Sequence, residues 1–145
     1  MMKDYLIYIV EDDEDDQQLL ASIFDDFFPD SELRFFSHGA QVVTQLTHRL
    51  DPCLPDLILL DLEMPVLNGF ETLHFLKSNP DYKFIPTLIL TSSQQTADID
   101  HCYELGGNAF MSKPRSYVQW VGLIGRLQAY WLGVAQSPVN RLVAY

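Results

Sequence analysis

Five short apolar runs punctuate the chain, at Tyr5–Val10, Leu33–Phe36, Leu57–Leu60, Thr87–Leu90 and Ala109–Met111. Within them apolar residues follow one another instead of alternating with polar ones, the pattern of parallel strands covered on both faces. Between the runs the spacing becomes helical. Leu19, Leu20, Ile23, Phe24 and Phe27 make one apolar stripe, Val42, Val43 and Leu46 a second, and Phe70, Leu73 and Leu76 a third. A weaker helix is predicted from Thr96 to Leu105, stopped by Gly106-Gly107, and a last one from about Ser116 to Val134. Pro29, Pro52, Pro55, Pro80, Pro86 and Pro114 all fall between elements, where a missing N–H is tolerated. Strand and helix alternating five times predict an α/β, (βα)5 fold: a doubly wound, open parallel sheet with right-handed crossovers. The expected division is one domain over residues 1–134 and a short C-terminal tail over 135–145.

Composition narrows what such a domain can do. The 145 residues are 48% hydrophobic, enough for a single core and too apolar for a disordered chain. The net charge is −11 and uneven: residues 1–32 carry eleven acids against Lys3, while residues 116–145 carry Arg126, Arg141 and no acid. A phosphate backbone would be repelled, so no nucleic-acid partner is expected. Cys53 and Cys102 stand apart without metal-type spacing and read as small buried hydrophobes in a reducing compartment. "YLIYIV" is too short for a signal-peptide core and lacks a basic flank, and no apolar run approaches membrane-spanning length. The expectation is a cytoplasmic protein with no membrane partner.

Ligands of open parallel sheets bind beyond the carboxyl ends of the strands. Strand one is followed there by Glu11 and Asp12, and strand three by Asp61, in "ILLDLEMPVLNG". Strand four ends at Thr91, and strand five is followed by Ser112 and Lys113. Each has an ordinary explanation taken singly: acids at a helix N-terminus, a turn residue, a solvated lysine. Together they gather three carboxylates, a hydroxyl and an ammonium at one edge. Clustered carboxylates repel one another, and Mg²⁺ suits one or two of them completed by carbonyls, water and a phosphate. Carboxylate, Mg²⁺, lysine and hydroxyl are the parts needed to transfer a phosphoryl group onto an aspartate. Asp61 is then the nucleophile.

The chain resembles a response-regulator receiver domain of two-component signalling, from residue 4 to about 134. The acidic pair corresponds to Glu11 and Asp12 in "VED", the acceptor block to Asp61, Pro65 and Gly69, the hydroxyl to Thr91 in "LILTSS", and the last motif to Phe110 and Lys113-Pro114. The resemblance implies a flavodoxin-like strand order 2-1-3-4-5. It implies Mg²⁺ bound directly by Asp12 and Asp61 and by the backbone carbonyl of Glu63, with Glu11 acting through a water. A sensor histidine kinase would be the phosphodonor to Asp61. Lys113 would then pair with a phosphoryl oxygen, Thr91 would hydrogen-bond another, and Phe110 would follow inward. That switch would alter the surface of the fourth helix, fifth strand and fifth helix. Glu63 and Ser93 match positions that tune dephosphorylation. The family carries no effector chemistry inside this domain, so a signalling module and not an enzyme is expected, acting on a downstream effector or phosphotransfer protein. No DNA-binding segment follows, which implies a stand-alone receiver. The Trp-bearing last helix and Pro-containing tail look similar to regulators that partner bacterial phytochromes. Ser92, in place of a small apolar residue, and Arg115, after Lys113-Pro114, depart from the commoner pattern.

Three other readings compete. A non-phosphorylated pseudo-receiver would have lost the acceptor, the acidic pair or the lysine, and all are present. A haloacid-dehalogenase-like phosphatase wants Asp-x-Asp after its first strand, whereas this chain has Asp61-Leu62-Glu63 after its third. A flavin carrier would meet repulsion between its phosphate and the acidic strand ends. In the last helix Tyr117, Trp120, Val121, Ile124, Leu127 and Trp131 can cover the sheet, leaving Val118, Leu123, Tyr130 and Leu132 over, with Val139, Leu142, Val143 and Tyr145 in the tail. Either the tail folds back on that apolar surface or a homodimer covers it. The expectation is the homodimer.

Overall fold

The computed structural model describes residues 4–136. The strands are β1 (Tyr5–Val10), β2 (Ser31–Phe36), β3 (Leu57–Leu60), β4 (Thr87–Thr91) and β5 (Ala109–Ser112). They alternate with α1 (Glu14–Phe27), α2 (Gly39–Thr47), α3 (Gly69–Ser78), α4 (Thr96–Glu104) and α5 (Tyr117–Leu127). All pairings are parallel, in the order β2-β1-β3-β4-β5. This is the flavodoxin-like (βα)5 sheet that the apolar runs and the resemblance imply.

Strand pleating divides the core in two. Tyr8, Val10, Ile58, Leu60 and Ile89 face α2, α3 and α4, through Val42, Leu46, Leu73, Leu76 and Cys102. Ile7, Ile9, Leu57, Leu59, Leu88 and Leu90 face α1 and α5, through Leu20, Ile23, Phe24, Trp120, Ile124 and Leu127. Both faces being covered explains why the central strands are unbroken apolar runs. The edge strand β2 is less covered, so Glu32 and Arg34 can sit inside it, and it starts at Ser31, two residues before its apolar run.

Several expectations need correction. Phe27, placed in the α1 stripe, is 51% exposed because it ends the helix past the sheet. Tyr117 opens α5 and is 47% exposed instead of covering the sheet. The last helix is not one regular piece: α5 stops at Leu127 and a π-helical stretch, Gln128–Val134, continues it. Leu123 and Leu132 are not left over, since both pack against the α1/α5 side of the core; Val118 and Tyr130 stay exposed. The tail residues Val139, Leu142, Val143 and Tyr145 lie outside the described residues.

Two charged groups that enter the interior are tied down. Asp51, 5% exposed, accepts from Tyr8 Oη, Arg34 Nε and Gln45 Nε2 and so fastens β1, β2 and the end of α2 together. Lys77 Nζ donates to the carbonyls of Lys83 and Ile85 and to Asn108 Oδ1, which fixes the approach to β4 against the turn before β5. Burial of that ammonium pulls its pKa down to about 8.

Gly69 is a glycine that the fold cannot replace. It opens α3 directly over the end of β3, its N–H donating to the Leu62 carbonyl at 3.1 Å, and an added Cβ would overlap the Asp61 carbonyl oxygen and Leu62 Cα. Those obstacles are backbone and cannot swing aside. Gly125 in α5 is different, because its added Cβ would meet only Phe28 Cζ at an ordinary 3.7 Å. We therefore expect Gly69→Ala to cost about 3 kcal/mol and Gly125→Ala to add up to about 1 kcal/mol through helix propensity. Urea denaturation of the two variants checks the opposite signs.

Candidate functional site

The carboxyl ends of β1, β3, β4 and β5 place the predicted residues around one cleft. The Asp61 N–H donates to the Val10 carbonyl at 3.0 Å, continuing the β1–β3 ladder one residue beyond the strand. Asp61 is thereby held rigidly and is only 5% exposed. Its Oδ1 accepts from the Glu63 N–H at 3.3 Å, an Asx-type turn that starts the β3–α3 loop. Asn68 caps α3 through a capping box with Glu71 and closes that loop.

Glu11 is buried and its Oε2 accepts from the Asp13 N–H at 3.1 Å. Asp13 in turn caps α1 by accepting from the Asp16 N–H. Glu11, Asp12 and Asp61 can each offer one oxygen, with all three oxygens within 4.8 Å of one another. Hard oxygen donors converging from two strand ends fit a divalent cation. Asp12 is the exposed member and leaves an open side toward solvent.

Lys113 follows β5, where its N–H donates to the Thr91 carbonyl at 2.9 Å. The side chain runs back into the cleft and is 12% exposed. Its Nζ lies 2.6 Å from Glu11 Oε1, 2.8 Å from Asp16 Oδ2 and 3.1 Å from Asp61 Oδ2. Burial pulls the ammonium's pKa down, but the hydrogen bonds to Asp16 and Glu11 and the Asp61 charge more than offset it, so the pKa rises. Glu11 moves the opposite way for an acid. Burial, aided by the Asp61 charge, pushes it up to about 7 against the pull of the Lys113 and Asp13 hydrogen bonds.

Thr91 is fully buried at the end of β4, and its Oγ1 accepts from the Ser93 N–H at 3.4 Å. Ser93 itself is turned away, donating its hydroxyl to Asp98 of α4 at 2.5 Å. The Glu63 side chain is exposed at the rim. Phe110 is half-buried against the α2/α3/α4 side of the core, and its N–H donates to Tyr103 Oη at 3.2 Å. Thus Glu11, Asp12, Asp61 and Lys113 are brought together, with Thr91 buried at the neighbouring end of β4 and Glu63, Ser93 and Phe110 outside that inner group. The residue that sequence reasoning missed is Asp16. It sits in an acidic run that reads as helix-dipole compensation, and only the path of Lys113 singles it out.

A buried carboxylate, a trio of acids that could share a hard cation, and a lysine bridging two of them stand together at the carboxyl edge of a flavodoxin-like sheet. The family description "Response regulator receiver domain" matches residues 7–122, and the chain belongs to that family of signalling modules. It is 31% identical over 136 residues to response regulator Rcp1 of Synechocystis, with 92% of each chain covered. It is 28% identical to the probable methanogenesis regulatory protein FilR2 of Methanothrix harundinacea, over 92% of this chain and 88% of that one. Among solved structures, the phosphorylated cyanobacterial phytochrome response regulator RcpA superposes with a TM-score of 0.86 at 30% identity, covering 92% of this chain and 98% of that one. The Mn²⁺-bound form of Rcp1 gives 0.83 at 31% identity, covering 92% and 99%.

The raised Glu11 pKa has a definite sign. Between its ordinary 4.5 and about 7, the folded protein keeps a proton that the unfolded chain has released. Glu11 therefore opposes folding increasingly as pH rises through that window and by a constant amount above it. Lys113, with its pKa raised, contributes stability at every pH below its ordinary 10.5 and loses it only above. In metal-free buffer we expect the stability of Glu11→Gln relative to wild type to improve steadily from pH 4.5 to 7, then level off. Denaturation midpoints at four pH values check this, and a pH-independent difference contradicts it.

Proposed function

We propose that the protein is a phosphoryl-accepting response regulator in which Asp61 takes the phosphoryl group of a sensor histidine kinase in a Mg²⁺-dependent reaction. The observation that carries this reading is the 3.1 Å contact between Lys113 Nζ and the buried Asp61 carboxylate, beside an acidic trio of metal-binding size. Asp12, Asp61 and the Glu63 carbonyl would hold Mg²⁺ directly, with Glu11 through a water. When bound, that ion supplies charge neutralisation between Asp61 and the incoming phosphoryl oxygens.

The chain's own residues do the rest. Asp61, fixed by the β1 ladder, presents a carboxylate oxygen for in-line attack on phosphorus as the bond to the donor imidazole nitrogen breaks. An acyl phosphate forms on Asp61. Lys113 pairs with one of its oxygens and Thr91 donates its hydroxyl to another, drawing β4 toward the site. Phe110 then moves further into the space behind Thr91, shifting an equilibrium at the α4, β5 and α5 surface. Glu63 and Ser93 set the access of water to the acyl phosphate, and release of Ser93 from Asp98 accompanies the switch. Output passes to a downstream effector or phosphotransfer protein. The receiver occupies residues 1–134 and works in the cytoplasm, in keeping with the absence of any membrane-spanning helix among the described residues. Similarity to the cyanobacterial phytochrome response regulator RcpA favours a phytochrome-type kinase as the donor.

Phosphorylation should need Asp61 and a divalent cation together. After incubation with a small acyl-phosphate donor and Mg²⁺, intact mass in mild acid should show one added phosphoryl group. It should vanish in Asp61→Asn and with chelator, and fall at least tenfold in Asp12→Ala at limiting Mg²⁺. Robust labelling of a folded Asp61→Asn variant contradicts the assignment.

Val118, 80% exposed, and Tyr130, 53% exposed, remain with Tyr117 and Val134 as the apolar surface of the last helix. With Tyr103 of α4 also exposed beside β5, they favour a homodimer through the α4, β5 and α5 surface, tightened by phosphorylation. Light scattering should find a dimer at tens of micromolar that Val118→Glu with Tyr130→Glu returns to monomer. A wild type that stays monomeric with and without a phosphoryl mimic excludes it.

A further inference from the structure

Lys113 has one more carboxylate than its proposed task requires. The three N–H groups of an ammonium can be saturated by Glu11, Asp16 and Asp61, all within 3.1 Å. Glu11 and Asp61 also belong to the trio able to close on a cation, whereas Asp16 does not. A divalent cation and an ammonium compete for the same oxygens and repel each other at short range. Once Glu11 and Asp61 serve the metal, Asp16 is the partner left to Lys113.

The placement of Asp16 suits that task. Among the acids of the 12–16 run, Asp12 joins the trio, Asp13 is spent on capping α1, and Glu14 and Asp15 are exposed. Asp16 alone of the helical acids is turned inward, its side chain 26% exposed and its N–H bonded to the Asp13 cap. It stands on a helix, separate from the two strand ends that supply Glu11 and Asp61, so metal binding there need not move it. With Lys113, Ser92, Arg115 and Trp120 it lines an open cleft of about 320 Å³ beside the acceptor. A helix-dipole acid has no reason to reach a lysine 97 residues away.

We propose that Asp16 is a positioning residue that retains Lys113 beside Asp61 when the divalent cation engages Glu11 and Asp61, keeping the ammonium ready for the incoming phosphoryl oxygen. Without it Lys113 either leaves the cleft or falls back on Glu11 and Asp61 and resists the metal. This deepens the phospho-acceptor reading and rests on it for the phosphoryl step; the metal step stands on the ion-pair geometry.

The test is a double-mutant cycle in Mg²⁺ affinity, measured by calorimetry on full-length chains whose fold is verified by circular dichroism. Asp16→Asn should lower Mg²⁺ affinity at least threefold more in the Lys113 background than in Lys113→Ala. Asp15→Asn, which removes the same charge one residue away, should change it less than twofold. At saturating Mg²⁺, Asp16→Asn should slow labelling by a small acyl-phosphate donor several-fold, and Asp16→Glu should restore part of the rate. Equal losses in both Lys113 backgrounds would mean that Asp16 acts only as bulk negative charge and would overturn the proposal, as would an unchanged labelling rate at saturating Mg²⁺. If wild type accepts no phosphoryl group at all, the phospho-acceptor reading fails separately, and the Mg²⁺ cycle still decides the role of Asp16.

Discussion

Four carboxylates cannot share the end of a sheet without a counter-charge, and the Lys113 ammonium supplies it. From the end of β5 it reaches Glu11 after β1, Asp61 after β3 and Asp16 on α1, so a single side chain joins four elements of the fold. A buried ion set of this kind is weak support for stability, because desolvation consumes much of the attraction. Its value lies in what it prepares. The acids are kept close while one positive charge holds the position that a metal ion and a phosphoryl group would contest. The upward shift of Glu11 to about 7 comes first from its burial, with the Asp61 charge adding to it.

The scaffold around that cluster is correspondingly stiff. Asp61 is locked by the β1–β3 ladder, by its own turn to Glu63, and by Gly69, whose missing Cβ lets α3 begin directly over it. Within the same loop Val66 has φ +66°, a strained conformation for a β-branched residue, on an exposed side chain. A fastened Asp61 and a strained residue meet in one connection. On the far side of the cleft the hydrogen bonds are uneven, one short and one long. Ser93 turns to Asp98, and Thr91 accepts a long 3.4 Å bond from the Ser93 N–H. On the proposed function, a fixed acceptor facing a hydroxyl held by one long bond would let the phosphoryl group select between two positions of β4 and α4.

Most of the fold was legible because both periodicities were clean. Unbroken runs such as Leu57–Leu60 announced a strand covered on both faces, and the Leu73, Leu76 stripe a helix lying on one of them. The inner members of the site were legible for a related reason: Asp61, Glu11 and Lys113 each interrupt a hydrophobic run at the point where its strand ends. Where the reading slipped, burial decided and spacing could not. Phe27 and Tyr117 keep helical register with core residues, yet lie at helix ends beyond the sheet. Leu123 and Leu132 look surplus, yet both are half-buried against the α1/α5 side of the core: for Leu132 the π-helical stretch after Leu127 changes the angular order of side chains, whereas Leu123 lies in regular α5, whose apolar stripe is wider than the spacing suggests.

The sequence by itself determined which residue types stand at which strand ends, and hence that acids, a hydroxyl and an ammonium must meet at one edge of a parallel sheet. That follows from the chain alone because strand direction and right-handed crossovers leave the carboxyl ends nowhere else to go. Only the tertiary structure decided which acid of the 12–16 run belongs to the cluster. A helix N-terminus accepts acids at every position of its first turn, so local energetics do not distinguish Asp16 from Asp15. The distinction comes from Lys113, 97 residues later, crossing from β5 toward α1 along a path that only the packed sheet defines.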